Sequence, residues 1–552
     1  MVVGAAVAAL VYDPLALAAG PKTVTLILVA VTALGLGLAS RGPIRAPSRS
    51  VWLWLLACAW SALTLAWGNP AALAGLAGWL GAAGLMLQVG QLDVPARVEV
   101  ARLAAAWIGS VSALAALVQR LVGAQGIAVH GGQGNPNWLG LVLAVALPLT
   151  VDAALAAAGA RRRLLLGGCV VQLGGLLLSG SRVGWIALAL VALVAAVGRR
   201  RRRWGVALVA TAGLAATLWI AGRGEKPLVE AWAGRVQIWT ATARAASVSQ
   251  PFGVGLGDFG EAYLAQQGRV LSVLTPGQAA RRFINATTAH GDWLQVGLEQ
   301  GLVGLLLLGL CLTRGAERAF RDQAWPGGGL ALISLMLVAV GDDPLQQPAV
   351  LVLLALLLPA VDATDHELSR RWIIRGGHLL AMVLLALLLL PAASRWIGSH
   401  QLSVSRDQVL HRRLATLQRA AAVDPWSGEV ALERGLALSE LSRPRAALAE
   451  LERSRRLLAN VGTDVAEGNV LIALGRGEQA VEAYRRALAR HPGSFRAHAN
   501  LAEALRQLGR LKQAGHHLQL ARSLLPGHPK LGELERRLQR SRLQRAVGGP
   551  RD

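Results

Sequence analysis

The apolar residues of this chain fall in blocks long enough to cross a bilayer, and every other inference has to fit around them. Runs at residues 23–40, 51–67, 71–91, 103–122, 138–158, 164–180, 183–198 and 204–221 are followed, after a polar stretch, by others at 293–312, 328–340, 348–361 and 378–393. They are apolar on all sides rather than striped, which a water-facing helix cannot be. With the apolar opening segment, which has no basic leader and reads as a span rather than a signal peptide, they amount to about twelve or thirteen spans. The chain of 552 residues is 54% hydrophobic and 16% charged. The expected fold class is all-α: a polytopic helical membrane protein with a helical repeat domain at its C-terminal end.

The net charge of +24 would point to nucleic acid in a soluble protein. Here arginine collects in short loops between spans: Arg41, Arg45 and Arg49; Arg161 to Arg163; residues 199–203; Arg314, Arg318 and Arg321; Arg370, Arg371 and Arg375. These loops alternate, and the positive-inside rule places them in the cytoplasm. Residues 222–292 and the polar tail from Ser394 then lie outside, as expected for the inner (plasma) membrane of a bacterium. Cys58, Cys169 and Cys311 all sit within apolar runs, so no disulfide framework or cysteine metal site is expected.

The tail repeats itself. Leu474, Gly475, Ala480, Ala487 and Pro492 recur 34 positions later as Leu508, Gly509, Ala514, Ala521 and Pro526. That is the tetratricopeptide period, with small residues where two helices of a hairpin touch. An earlier copy keeps Leu441 and Ala447 but has Ser442 and Ser454 at two of the small positions. About three repeats are expected, and their concave face suits a protein partner. The domains read as N-terminal spans 1–221, a large loop 222–292, C-terminal spans 293–395 and repeats 401–545.

The loop 222–292 is the one long polar insertion among the spans, and insertions of that length usually carry function. His290 stands just before an expected helix start, with Asp292 as N-cap and Gln295 three residues on in a capping-box-like spacing. The positive helix end favours a neutral imidazole, as a general base requires; the alternative is a residue that only anchors the helix. Arg235, beside Trp239, has the planar fork that binds two phosphate oxygens, or else it snorkels at the interface. Arg182 sits in the short hairpin of Ser179 to Arg182, with the same two readings, and Arg281 and Arg282 add positive charge to the loop. The glycines of Pro251-Phe252-Gly253-Val254-Gly255 match no phosphate loop and read as turns. No metal site is expected, since His290 and Asp292 lack a second histidine at helical spacing and His130 is remote. Nor is there a cofactor motif.

Taken in order, Gly134-Asn135-Pro136-Asn137-Trp138, Ser181-Arg182-Val183-Gly184-Trp185, Arg235-x-x-Ile238-Trp239, the Pro251 to Gly255 stretch, and Ala289-His290 leading to Glu299-Gln300-Gly301 resemble the O-antigen ligase and polymerase superfamily of membrane glycosyltransferases. The resemblance covers about residues 22–361. It implies transfer or polymerisation of a glycan from an undecaprenyl-diphosphate donor to a glycan, lipid or protein acceptor at the outer face, without a metal. It also implies that His290 is the base and that Arg235 and Arg182 hold the diphosphate; Arg281 and Arg282 of the loop are further candidates for binding it. Gly291 departs from the family's Asn after this His. Two other classes stay open: an inorganic-carbon (bicarbonate) transporter, against which the lack of paired broken helices speaks, and an inactive membrane scaffold for the repeats.

Overall fold

A computed structural model describes residues 4, 7, 9–11, 19–39, 45–122, 129–197, 228–249, 251–321, 325–362 and 371–547. The expected span at 204–221, the arginine run 199–203 and most of the opening segment lie outside the described residues, as do Arg41 and Arg370. Among the described residues every regular element is helical.

The first half of the bundle is α1 (Ala19–Ala39), α2 (Arg49–Thr64), α3 (Leu73–Val89), α4 (Val94–Val122), α5 (Pro136–Ala156), α6 (Gly159–Ser179) and α7 (Arg182–Val197). The loop contributes α8 (Leu228–Ser249), α9 (Phe259–Leu271) and α10 (Pro276–Arg282). The chain returns to the bundle through α11 (Asp292–Glu299), α12 (Gly301–Arg321), α13 (Pro326–Gly341) and α14 (Pro348–Val361), and leaves it on α15 (Arg371–Ser405). Six of these helices, α1, α3 extended back to Pro70, α4, α5, α6 and α15, are long and apolar enough to cross a membrane; α7, α13 and α14 are shorter apolar helices. All of α14 is buried, so it is the central pillar against which α3, α4 and α1 pack.

The arginine-rich ends gather at one end of the bundle. Asp362, 1% exposed, accepts from Ser50 Oγ (2.9 Å) and pairs with Arg314 (3.5 Å) and Arg318 (3.4 Å). Asp152 likewise joins Arg102 and Trp325. A charge in a bundle is tolerated when paired in this way. The Ser179 to Arg182 hairpin, the loop and residues 342–347 lie at the opposite end.

Two expectations need correction. The run 293–312 is not one helix: the backbone breaks at Gly301 (φ +68°), where a side chain would lie 2.1 Å from the Pro251 carbonyl. The Pro251 to Gly255 turn is hydrogen-bonded into this break, Leu302 N donating to Pro251 O (2.9 Å) and Val254 N to Leu298 O (2.9 Å). The capping box at Asp292 is absent. Gly291 is the N-cap, and the Asp292 carboxylate instead accepts from Leu345 N at 2.7 Å. The amide at Leu345 is buried and needs an acceptor more than the helix start does. Gln295 accepts from Ala289 N (2.8 Å).

The repeats are three helix hairpins, preceded by α16 (Leu410–Val423): α17 (Gly428–Glu440) with α18 (Pro444–Leu457), α19 (Val461–Ala473) with α20 (Gly477–Arg490), and α21 (Phe495–Gln507) with α22 (Leu511–Leu524). α23 (Pro529–Val547) closes the stack. Both serines of the poorer copy are accommodated. Ser442 takes the left-handed conformation (φ +56°) of Gly475 and Gly509, and the buried Ser454 hydroxyl donates to Gly428 O at 2.9 Å. α15 runs from the bundle into the repeats without a break.

Candidate active site

Four segments far apart in sequence meet at the end of the bundle opposite Asp362. α8 carries Arg235, the extended approach to α11 carries Thr288 to Gly291, α11 begins with Asp292, and the connection after α13 carries Asp342 and Asp343. Packing of α8 on α11 brings the first two together, and Trp239 Nε1 on α8 fixes the His290 carbonyl at 3.1 Å.

His290 has φ +48°, a left-handed conformation that is rare outside glycine. Such strain persists only where surrounding bonds over-determine it. Here the Gly291 amide on its far side donates to Asp343 Oδ1 (2.9 Å), and Thr288 Oγ1 donates to Asp343 Oδ2 (2.6 Å). These bonds hold Asp343, 7% exposed, with its Oδ2 3.8 Å from His290 Nδ1. That is beyond a hydrogen bond but within ion-pair range. The imidazole is 43% exposed, so the ring is partly accessible from outside. Gly291 has no room for a side chain, because a Cβ there would lie 2.9 Å from the Val340 carbonyl. The departure from Asn is therefore built into the contact with α13.

Arg235 Nη2 lies 3.5 Å from Asp342 Oδ2. Burial and the neighbouring Asp343 push the Asp342 carboxyl above its ordinary range despite the Arg235 guanidinium. Burial, then Asp343, pushes Asp292 well above it too. Burial beside other carboxylates thus disfavours the ionised forms of Asp292 and Asp342, with Arg235 opposing this at Asp342. His290, Asp342 and Asp343 offer ligand atoms within 4.8 Å of one another. Both carboxylates have protein partners as well, Asp342 the Arg235 guanidinium and Asp343 the Thr288 hydroxyl and Gly291 amide.

Of the other residues expected at the site, Arg182 opens α7, where Val183 faces Gly341, the residue that also adjoins Arg235 Nη1. Arg281 and Arg282 are exposed at the end of α10, which packs toward α22 of the repeats, and no side-chain bond ties them to the cluster among the described residues. Asp342 and Asp343 were not among the expected site residues. The signal for them was two consecutive acids ending an apolar run, which is costly at a membrane boundary without partners.

The described residues combine a helical bundle with membrane-length apolar helices, a basic and acidic cluster at one end, and a repeat stack. Residues 167–309 match the O-antigen ligase family, and residues 465–529 match the tetratricopeptide repeat family. The chain thus carries a segment similar to O-antigen ligases ahead of a segment similar to tetratricopeptide repeats, which does not favour the transporter reading. No curated protein matches the chain. Among solved structures it is similar to MamA, at 23% identity over 28% of this chain and 86% of that one with a TM-score of 0.23. YrrB, titled a tetratricopeptide protein with an unusual peptide-binding site, is similar at 18% identity over 28% and 88% with a TM-score of 0.23.

Proposed function

We propose that this protein transfers a glycan from an undecaprenyl-diphosphate donor to an acceptor hydroxyl at the outer face of a bacterial inner membrane. The observation that carries the reading is the paired placement of His290 against Asp343 and Arg235 against Asp342. Asp343 orients Nδ1, leaving Nε2 of His290 to take the acceptor proton. The acceptor oxygen bonds to the anomeric carbon as the bond to the diphosphate oxygen breaks, inverting the centre, and the electron pair leaves with the diphosphate. Arg235 stabilises that departing charge, and Arg182, at the start of α7, is a second candidate for it. No step calls for a metal. On this reading the loop and the repeats both face outward, in line with the gathering of arginines at the opposite end.

A deletion strain tests the reading. It should lose one glycan conjugate and accumulate the lipid-linked precursor. An unchanged glycan profile contradicts it and returns the chain to a carrier or a scaffold.

A further inference from the structure

The repeats are locked onto the ligase loop rather than tethered beside it. Arg490 on α20 donates two bonds to Glu261 on α9 (2.7 and 2.6 Å) while binding Asp464 (2.7 Å). Phe283 stacks on His491 with centroids 3.9 Å apart. Asn69, between α2 and α3, donates to the Leu457 carbonyl at 3.0 Å. The fit is so close that a side chain on Gly268 would lie 2.0 Å from the Ala489 carbonyl. Two surfaces matched at backbone distance form a fixed interface, with a defined space at its edge.

That space is a cavity of about 540 Å³ between the loop and the repeats. Asp258 and Asn285 line it from the loop, and Arg406, Glu429 and Arg456 from the end of α15, α17 and α18. Among the described residues, none of these five side chains has a hydrogen bond or ion pair, so donors and acceptors of both signs stand ready for a ligand. Burial, then the nearby Glu261, pushes the Asp258 carboxyl up to about 6. Leu432 and Leu458 supply apolar wall between them. A second cavity, of about 460 Å³, shares Asn69, Gly257, Thr287 and Leu457 with the first and extends to Thr288 and Asp292, two positions either side of His290.

We propose that the repeats form one wall of a saccharide-binding cleft that holds the acceptor glycan and leads it toward His290. Mixed polar side chains with short apolar walls fit a polyhydroxylated chain, whose hydroxyls both donate and accept. The cleft contains neither Arg182 nor Arg235, so it serves the acceptor and not the diphosphate. The inference rests on the proposed glycan transfer.

The test uses the full chain, in cells that make the glycan, with His290→Ala to prevent turnover and the photo-crosslinker p-benzoylphenylalanine placed at Arg456 or, as a control outside the cleft, at Val409. Illumination should give an adduct at Arg456 that is labelled after periodate oxidation, and none at Val409. An adduct destroyed by protease and untouched by periodate, or no adduct, overturns the cleft. In parallel, Gly268→Leu in the otherwise wild-type chain should raise the acceptor KM at least tenfold with the donor KM unchanged; unchanged acceptor kinetics overturn the proposal. Transfer by wild-type protein, with no periodate-sensitive adduct in the Arg456 crosslinker variant, refutes the cleft alone. Wild-type protein that transfers none refutes the enzyme reading and the cleft with it.

Discussion

Asp343→Asn isolates the charge behind His290 while keeping the shape of the side chain. At 3.8 Å and an effective dielectric of about 20, two unit charges attract by about 4 kcal/mol. His290 is 43% exposed, and solvent screening reduces this to about 1–3 kcal/mol, or about 5- to 150-fold in rate. The imidazolium exists only once the acceptor proton has moved, so the loss belongs to the transition state and should appear in kcat with KM little changed. The amide of Asn keeps one acceptor for the Gly291 N–H, so His290 should hold its left-handed backbone. The assay is transfer from a purified lipid-linked donor in proteoliposomes, with insertion checked by detergent extraction. An Asp343→Asn protein within about twofold of wild type, below the range expected for that charge, refutes Asp343 as the orienting group. Equal losses in kcat and in protein yield would make the residue structural.

Three further outcomes are expected. Arg235→Lys should fail nearly as badly as Arg235→Ala, by roughly 10- to 150-fold, because the point charge of Lys cannot bind two phosphate oxygens; full activity of the Lys protein in the same transfer assay would make Arg235 an interface anchor. Ser442→Gly should stabilise the repeats by about 0.5–1 kcal/mol, raising their melting temperature by about 2–4 °C, since it relieves a left-handed serine where the other copies have glycine; a lower melting temperature would contradict this. Burial, with His498 nearby, holds His491 down to about 4, so the unfolded state binds a proton that the folded interface excludes. Its contribution is intact above about pH 6.5 and is lost as pH falls toward 4. Proteolysis between loop and repeats should therefore rise at pH 5 in wild type and less so in His491→Phe, and equal rises would refute a role for this ring.

What could be read in the sequence depended on period and local order. Spans came from unbroken apolar runs, and the repeats from a strict return of Leu, Gly, Ala and Pro. The ligase resemblance came from short motifs in a fixed order. Arg235 and His290 could be singled out for the same reason, each standing inside a motif. Their partners could not. Arg235 and Asp342 are separated by 107 positions, and no periodicity links an arginine on a loop helix to an acid at the end of a span. The break at Gly301 was hidden because both sides of it are apolar, and only the turn at Pro251 requires it. The misplaced cap had a related cause: Asp292 has the right spacing for a capping box, but a buried amide at Leu345 competes for its carboxylate. Docking of the repeats onto α9 rests on glycines and single ion pairs that look ordinary in the chain.

The central claim is that His290 takes the acceptor proton in a glycan transfer. Purified wild-type and His290→Ala proteins, reconstituted with the lipid-linked donor and an acceptor fraction from the deletion strain, test it most directly. The account predicts transfer by wild type and a loss of about 10²–10⁴-fold in His290→Ala at equal insertion. Transfer by His290→Ala at the wild-type rate would contradict it.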